Sequence, residues 1–163
     1  MAEYERIMQP FEPVYNKNSR ILILGSLPSV KSRENGFYYG HPQNRFWRML
    51  AGVYEAEIPQ TVSQKKEFLY QCNIALWDVI ESCEIKGSSD SSIREVVVAD
   101  IHAVLGQAPI ERIFANGKTA QRLYNKYAKE KTGREIIELP STSPANAAYS
   151  LEKLIQKWAI IRG

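Results

Sequence analysis

The chain has 163 residues, 44% hydrophobic and 24% charged, with a net charge of +3 and two cysteines. That length can bury a core without a metal or disulfide staple, and a single domain over residues 1–163 is expected. No apolar run approaches the roughly 20 residues of a membrane span. Two cysteines are too few for an iron–sulfur cluster or a structural zinc, and so mild a charge permits a phosphate-facing groove without arguing for one.

Residues 1–19 read as an extended arm, because Pro10 and Pro13 disfavour helix and Asn16-Lys17-Asn18-Ser19 makes a turn. The N-terminal end has acidic residues and no apolar segment, so no signal peptide is expected. Cys72 and Cys83 are expected as reduced thiols of a cytoplasmic protein. A first strand is expected over 20–25, where the apolar run 21–24 reads as a central parallel strand covered on both faces. A long loop is expected over 30–42 and a short helix over 43–52. Thr61, with Gln64 in capping-box position, opens a helix over 61–71. A second strand over 73–77 ends at Asp78. Residues 81–92 read as a polar loop, and 93–105 as loop then helix. A third strand over 111–115 runs through Asn116-Gly117-Lys118 into a helix that reaches about Lys129, and Gly133 breaks the chain. A fourth strand over 135–139, a tight loop over 140–144 and a last helix from Asn146 complete the order. Four strands separated by helices predict a three-layer α/β/α domain with a four-stranded, mainly parallel sheet.

The informative stretch is residues 25–47. The first strand ends in Gly25-Ser26-Leu27-Pro28-Ser29. Phe37-Tyr38-Tyr39-Gly40 follows, then His41-Pro42-Gln43-Asn44-Arg45-Phe46-Trp47. A small-residue turn, an aromatic platform and an amide at the carboxyl end of a strand mark the place where open α/β folds bind ligands. These motifs resemble the uracil-DNA glycosylase superfamily, and among its branches the mismatch-specific and hypoxanthine enzymes. The second superfamily motif falls on Ser141, Thr142, Ser143, Pro144, Ala145 and Asn146. Two positions depart from the wider pattern. Leu27 stands where most members carry a water-positioning asparagine, and Ser141 where the strongest uracil enzymes carry a histidine. The hypoxanthine branch is similar to this chain at both, and there the catalytic amide falls at the position of Asn44.

The resemblance implies a monofunctional DNA glycosylase that flips a deaminated base out of the duplex and leaves an abasic site. Base loss builds positive charge on the sugar and negative charge on the base, so the site must help at two places. Asn44 is neutral and is expected to orient a water rather than act as a strong base. Neither motif contains a lysine for lyase chemistry. The base is expected among Gly25, Ser26, Leu27, Tyr39, Gly40 and His41, stacked on Tyr39. Asp78 is a candidate acceptor for the N1–H that separates hypoxanthine from adenine. Ser29, Lys118 and the residues from Ser141 through Asn146 are expected to face DNA. No cofactor or metal is expected, and a monomer is.

Plainer readings stand beside these. Asn44 is also suited to capping a helix at Arg45, Asp78 to a strand-end turn, His41 to loop packing, and Ser141 and Ser143 to local turns. Uracil or xanthine is an alternative substrate. A damage-binding module without catalysis is the alternative class. A serine hydrolase built on Ser26 or Ser29 is disfavoured, because Gly-x-Ser-x-Gly is absent.

Overall fold

The computed structural model describes residues 3–163, so Met1 and Ala2 of the expected arm lie outside the described residues. Four parallel strands form the central sheet in the order β3-β2-β6-β7. They are β2 (Ile21–Gly25), β3 (Ile74–Asp78), β6 (Arg112–Asn116) and β7 (Ile137–Leu139). The four strands expected from sequence are these four.

All five residues of β2 are buried. Ile21 and Ile23 join one apolar cluster, with Phe46, Leu50, Leu69, Leu154 and Trp158 from α2 (Phe46–Tyr54), α3 (Val62–Gln71) and α7 (Leu151–Trp158). Leu22 and Leu24 join the other, with Ile101, Leu123 and Tyr124 from α4 (Ile101–Leu105) and α5 (Lys118–Tyr127). Alternate residues of one strand thus feed opposite layers, which gives the α/β/α arrangement its two cores. Helix α3 starts as expected: Thr61 accepts from the Gln64 N–H, and the Gln64 side chain accepts from the Thr61 N–H.

A second, three-stranded antiparallel sheet corrects the sequence reading. The arm contains β1 (Tyr4–Met8), which pairs with β4 (Ile80–Lys86), and β4 pairs with β5 (Arg94–Val98). β4 lies where a polar loop was expected, and it buries Ile80, Cys83 and Ile85 against the second core. The loop expected over 30–42 begins with a short helix, α1 (Val30–Asn35), capped by Ser29. A four-residue helix, α6 (Lys129–Thr132), follows α5, and Gly133 ends it at φ 67°. No helix among the described residues is long and apolar enough to cross a membrane.

Replacing Thr61 by Ala removes one side of the capping box. The expected cost is about 1 kcal/mol, read as a lower urea midpoint with an unchanged slope.

Candidate active site

The strand register builds the site. Gly25 pairs with Asp78 across β2 and β3, while Leu24 pairs with Ala115 on β6, one residue before Asn116. Gly25, Asp78 and Asn116 therefore share one level at the carboxyl edge of the sheet. Above them lies a cavity of about 1040 Å³. Gly25 has no alternative there, because a Cβ would sit 2.5 Å from Asp78 Oδ1 and 2.8 Å from Tyr39 Oη.

Asn44 lies just ahead of α2 and lines the cavity. Its Oδ1 accepts from the Phe46 N–H at 2.9 Å and from the Thr142 hydroxyl at 2.9 Å. Thr142, fully buried, donates its backbone N–H to Asn116 Oδ1 at 3.0 Å, and its Oγ1 accepts from Asn116 Nδ2 at 3.0 Å. The direction of this chain is fixed by two backbone donors that cannot reverse. The Thr142 N–H requires Asn116 to present oxygen there, so Asn116 presents its NH₂ to the Thr142 hydroxyl. That hydroxyl must then give its proton to Asn44, and the Phe46 N–H holds the same Asn44 oxygen. Nδ2 is left as the free end of the Asn44 amide. Asn44 thus accepts from the first helical N–H of α2 through its oxygen and leaves its amide nitrogen unbonded among the described residues, while the cap position itself falls on Arg45.

Arg45 closes the cavity wall. Its backbone N–H donates to the Thr142 carbonyl at 3.1 Å. Its guanidinium donates to the carbonyls of Ser143 at 2.9 Å, Asn146 at 3.0 Å and Tyr149. Within the loop, Ser141 Oγ accepts from the Ser143 N–H and Ser143 Oγ from the Ala145 N–H, while Asn146 Nδ2 donates to the Ser141 carbonyl. Gly117 packs beneath this loop at φ 96°, where a Cβ would meet the Ser141 Cβ at 3.0 Å.

Asp78 is 3% exposed, and burial pushes its carboxyl up to about 7, against hydrogen bonds from Gln9 and the Gly25 backbone that pull it down. Tyr39 stacks on Phe46 with centroids 4.2 Å apart, at a left-handed φ of 53°. One ring face is thus occupied. Its hydroxyl is wholly buried with no hydrogen-bond partner among the described residues. Burial, with the Asp78 charge nearby, pushes that hydroxyl far above the usual phenol range.

Of the residues singled out from sequence, Gly25, Ser26, Leu27, Tyr39, Asn44 and Asp78 line the cavity. So do Ser29, Lys118, Ser141, Thr142, Ser143, Ala145 and Asn146. Gly40, His41 and Pro144 stand outside its lining. Gly40 is pinned to α1, its N–H donating to Ser32 Oγ and its carbonyl accepting from Asn35 Nδ2. His41 Nδ1 accepts from the Gln43 N–H at 3.0 Å, which is loop packing. Beside Lys118, Thr119 donates to the Asp90 carboxylate at 3.0 Å, so a carboxylate already stands near the start of α5. Asn116 and Gln9 were not singled out. Asn116 carried a signal, since it is a polar residue ending an apolar strand just as Asp78 does.

The fold and the cavity define a three-layer α/β/α protein with its ligand site at the carboxyl edge of a parallel sheet. The family model of the uracil DNA glycosylase superfamily matches residues 12–162. A hypoxanthine DNA glycosylase of Methanosarcina acetivorans is 34% identical over 158 residues, which are 96% of this chain and 99% of that protein. One of Methanosarcina barkeri is 34% identical over 153 residues, 93% of this chain and 95% of its own. The solution NMR structure of a Methanosarcina acetivorans protein, provisionally named a uracil DNA glycosylase, aligns with a TM-score of 0.80 at 32% identity. That alignment covers 95% of this chain and 96% of the other. The chain belongs to the uracil DNA glycosylase superfamily.

Arg45→Ala removes three charged hydrogen bonds to loop carbonyls and is expected to destabilise the protein by about 2–4 kcal/mol. Arg45→Lys recovers only part of this, because an ammonium lacks the planar fork. Urea unfolding of the three proteins checks both statements.

Proposed function

We propose that this protein is a monofunctional DNA glycosylase that excises deaminated bases, chiefly hypoxanthine from deoxyinosine, and leaves an abasic site. The observation that carries this reading is the fixed Asn116–Thr142–Asn44 chain, which turns a neutral amide toward a cavity floored by a buried carboxylate. The names of the two Methanosarcina relatives support the choice of base. The whole of residues 1–163 acts as one domain and as a monomer in the cytoplasm, with DNA as its partner and no cofactor or metal.

The C1′–N9 bond breaks with its electron pair on the base, which takes up a proton from solvent water as it leaves. The sugar cation needs only a weak nucleophile. The Asn44 Nδ2–H donates to a water and leaves that water a lone pair for C1′. Two donors on Oδ1 polarise the amide and strengthen Nδ2–H as a donor. The attacking water then loses its proton to solvent or a flanking phosphate. Ser143 and Lys118 line the cavity, which supports a part for both in meeting the DNA backbone.

Asp78 selects the base. Its ionised carboxylate accepts from N1–H of hypoxanthine, whereas adenine offers a bare N1 lone pair there and is rejected. Uracil and xanthine also present an N–H beside a carbonyl, so both belong in the same assay.

Duplexes with a single deoxyinosine, deoxyuridine or deoxyxanthosine, treated with alkali after incubation, test the reading. Cleavage at deoxyinosine is expected to fall about 10²–10³-fold in Asn44→Ala. An unchanged rate in that variant removes Asn44 from catalysis.

The raised Asp78 carboxyl sets two pH dependences. Acceptance of N1–H requires the ionised form, so kcat/KM for deoxyinosine rises as pH climbs through about 7. The folded protein also holds a proton that the unfolded chain releases near the ordinary 3.8. Stability is therefore lost as pH rises through that window. Asp78→Asn is expected to melt higher than the parent at pH 8, with the advantage vanishing toward pH 4. Calorimetry at the two pH values checks it.

A further inference from the structure

We propose that Gln9, at the end of the N-terminal strand, is a positioning residue that fixes which oxygen of Asp78 reads the base. The inference rests on the reading of Asp78 as the base acceptor and extends it to a residue 69 positions earlier.

Every hydrogen bond of Gln9 serves one orientation. Its backbone N–H donates to the Glu81 carbonyl at 2.7 Å, which locks it onto β4. Its Oε1 accepts from the Phe11 N–H at 2.9 Å. A backbone donor cannot reverse, so Nε2 must face the other way, and it donates to Asp78 Oδ2 at 2.6 Å. The following backbone is held in turn by the Tyr38 hydroxyl, which donates to the Glu12 carbonyl at 2.8 Å. The small antiparallel sheet, whose Ile85 also lines the cavity, thereby reaches the site's most buried carboxylate.

The consequence is a division of labour between two oxygens. Oδ2 is held by Gln9. Oδ1 lies over Gly25, whose backbone also bonds the carboxylate, on the same side as the Tyr39 hydroxyl; it has no side-chain donor among the described residues and is the oxygen with capacity left for an incoming base. Because Gln9 can only donate at this position, any proton on Asp78 resides on Oδ1 and blocks the acceptor. The groups facing Asp78 are the Gln9 amide from the arm, the Gly25 backbone from β2, and the Tyr38 and Tyr39 hydroxyls from the aromatic loop. Only Gln9 and Gly25 favour the ionised form.

The test is the pH profile of kcat/KM on deoxyinosine duplex for the parent, Gln9→Met, Gln9→Glu and Asp78→Asn, each confirmed folded by its thermal transition. Methionine keeps the length and cannot donate. Its acid limb is expected to move up by roughly one pH unit, with the rate loss largest below pH 7 and shrinking as pH rises. Glutamate adds a like charge beside Asp78, so its limb moves further the same way. It also serves if Gln9→Met does not fold. A purely structural role lowers the rate by one factor at every pH and leaves the limb in place, and that result overturns the proposal. Asp78→Asn separates the two layers of the argument. If it keeps the parental rate and limb, the reading of Asp78 fails and takes Gln9 with it. If it loses the limb while both Gln9 variants keep theirs, Gln9 alone is excluded.

Discussion

Two neighbouring residues, Asn44 and Arg45, join the loops that leave β2 and β7. Asn44 Oδ1 accepts a hydrogen bond from the Thr142 hydroxyl, and Arg45 spreads its guanidinium over the carbonyls of Ser143, Asn146 and Tyr149. The parallel sheet alone leaves these loops independent at separate strand ends. The pairing ties together two of the segments that line the cavity. A planar cation with fixed donors suits the task, since it adds a donor to the Ser143 and Asn146 carbonyls, which already accept from the Asn146 and Tyr149 N–H groups, and ties the Tyr149 carbonyl to the same point. The same junction starts α2 and directs the Asn44 nitrogen, so helix initiation, loop closure and the presentation of the amide are one structural event.

The floor of the cavity is held against its own stability. A carboxylate at 3% exposure, raised to about 7, is an unfavourable group to bury at neutral pH. Nothing in the packing of β3 asks for it, because Ile74, Ala75 and Leu76 in the same strand are apolar and fully buried. Gly25 opens the space it occupies and Gln9 satisfies one of its oxygens. A charge kept at such a cost, in a cleft, beside an unpaired buried tyrosine hydroxyl, is what a site for a polar ligand looks like.

The central sheet was legible because β2, β3 and β6 are covered on both faces and read as short apolar runs between turn residues, while the edge strand β7, with Ile137 exposed, was marked by the turn residues around it. The capping box at Thr61 was legible because its chemistry is local. β1, β4 and β5 were not. Each is solvated on one face and carries charges among its apolar residues, and the β4–β5 register shifts twice, so no period of two survives in the sequence. α1 has six residues and buries only Ser32, which leaves no apolar stripe to find. The motifs brought most of the site residues to one cavity. Gly40 and His41 sit inside the strongest motif yet serve the loop rather than the cavity, because a string of residues does not say which side chains turn inward. Gln9 was invisible for the opposite reason: its partner is distant in sequence, and its own surroundings read as plain arm.

In the proposed mechanism Thr142 acts only through Asn44, holding the amide that orients the attacking water. A double-mutant cycle tests it most directly, with free hypoxanthine released from deoxyinosine duplex under single turnover as the readout. The account predicts that Asn44→Ala and Thr142→Val each lower the rate strongly, and that the double variant is scarcely slower than Asn44→Ala alone. Losses that multiply, or a Thr142→Val enzyme that works at the parental rate, would contradict it.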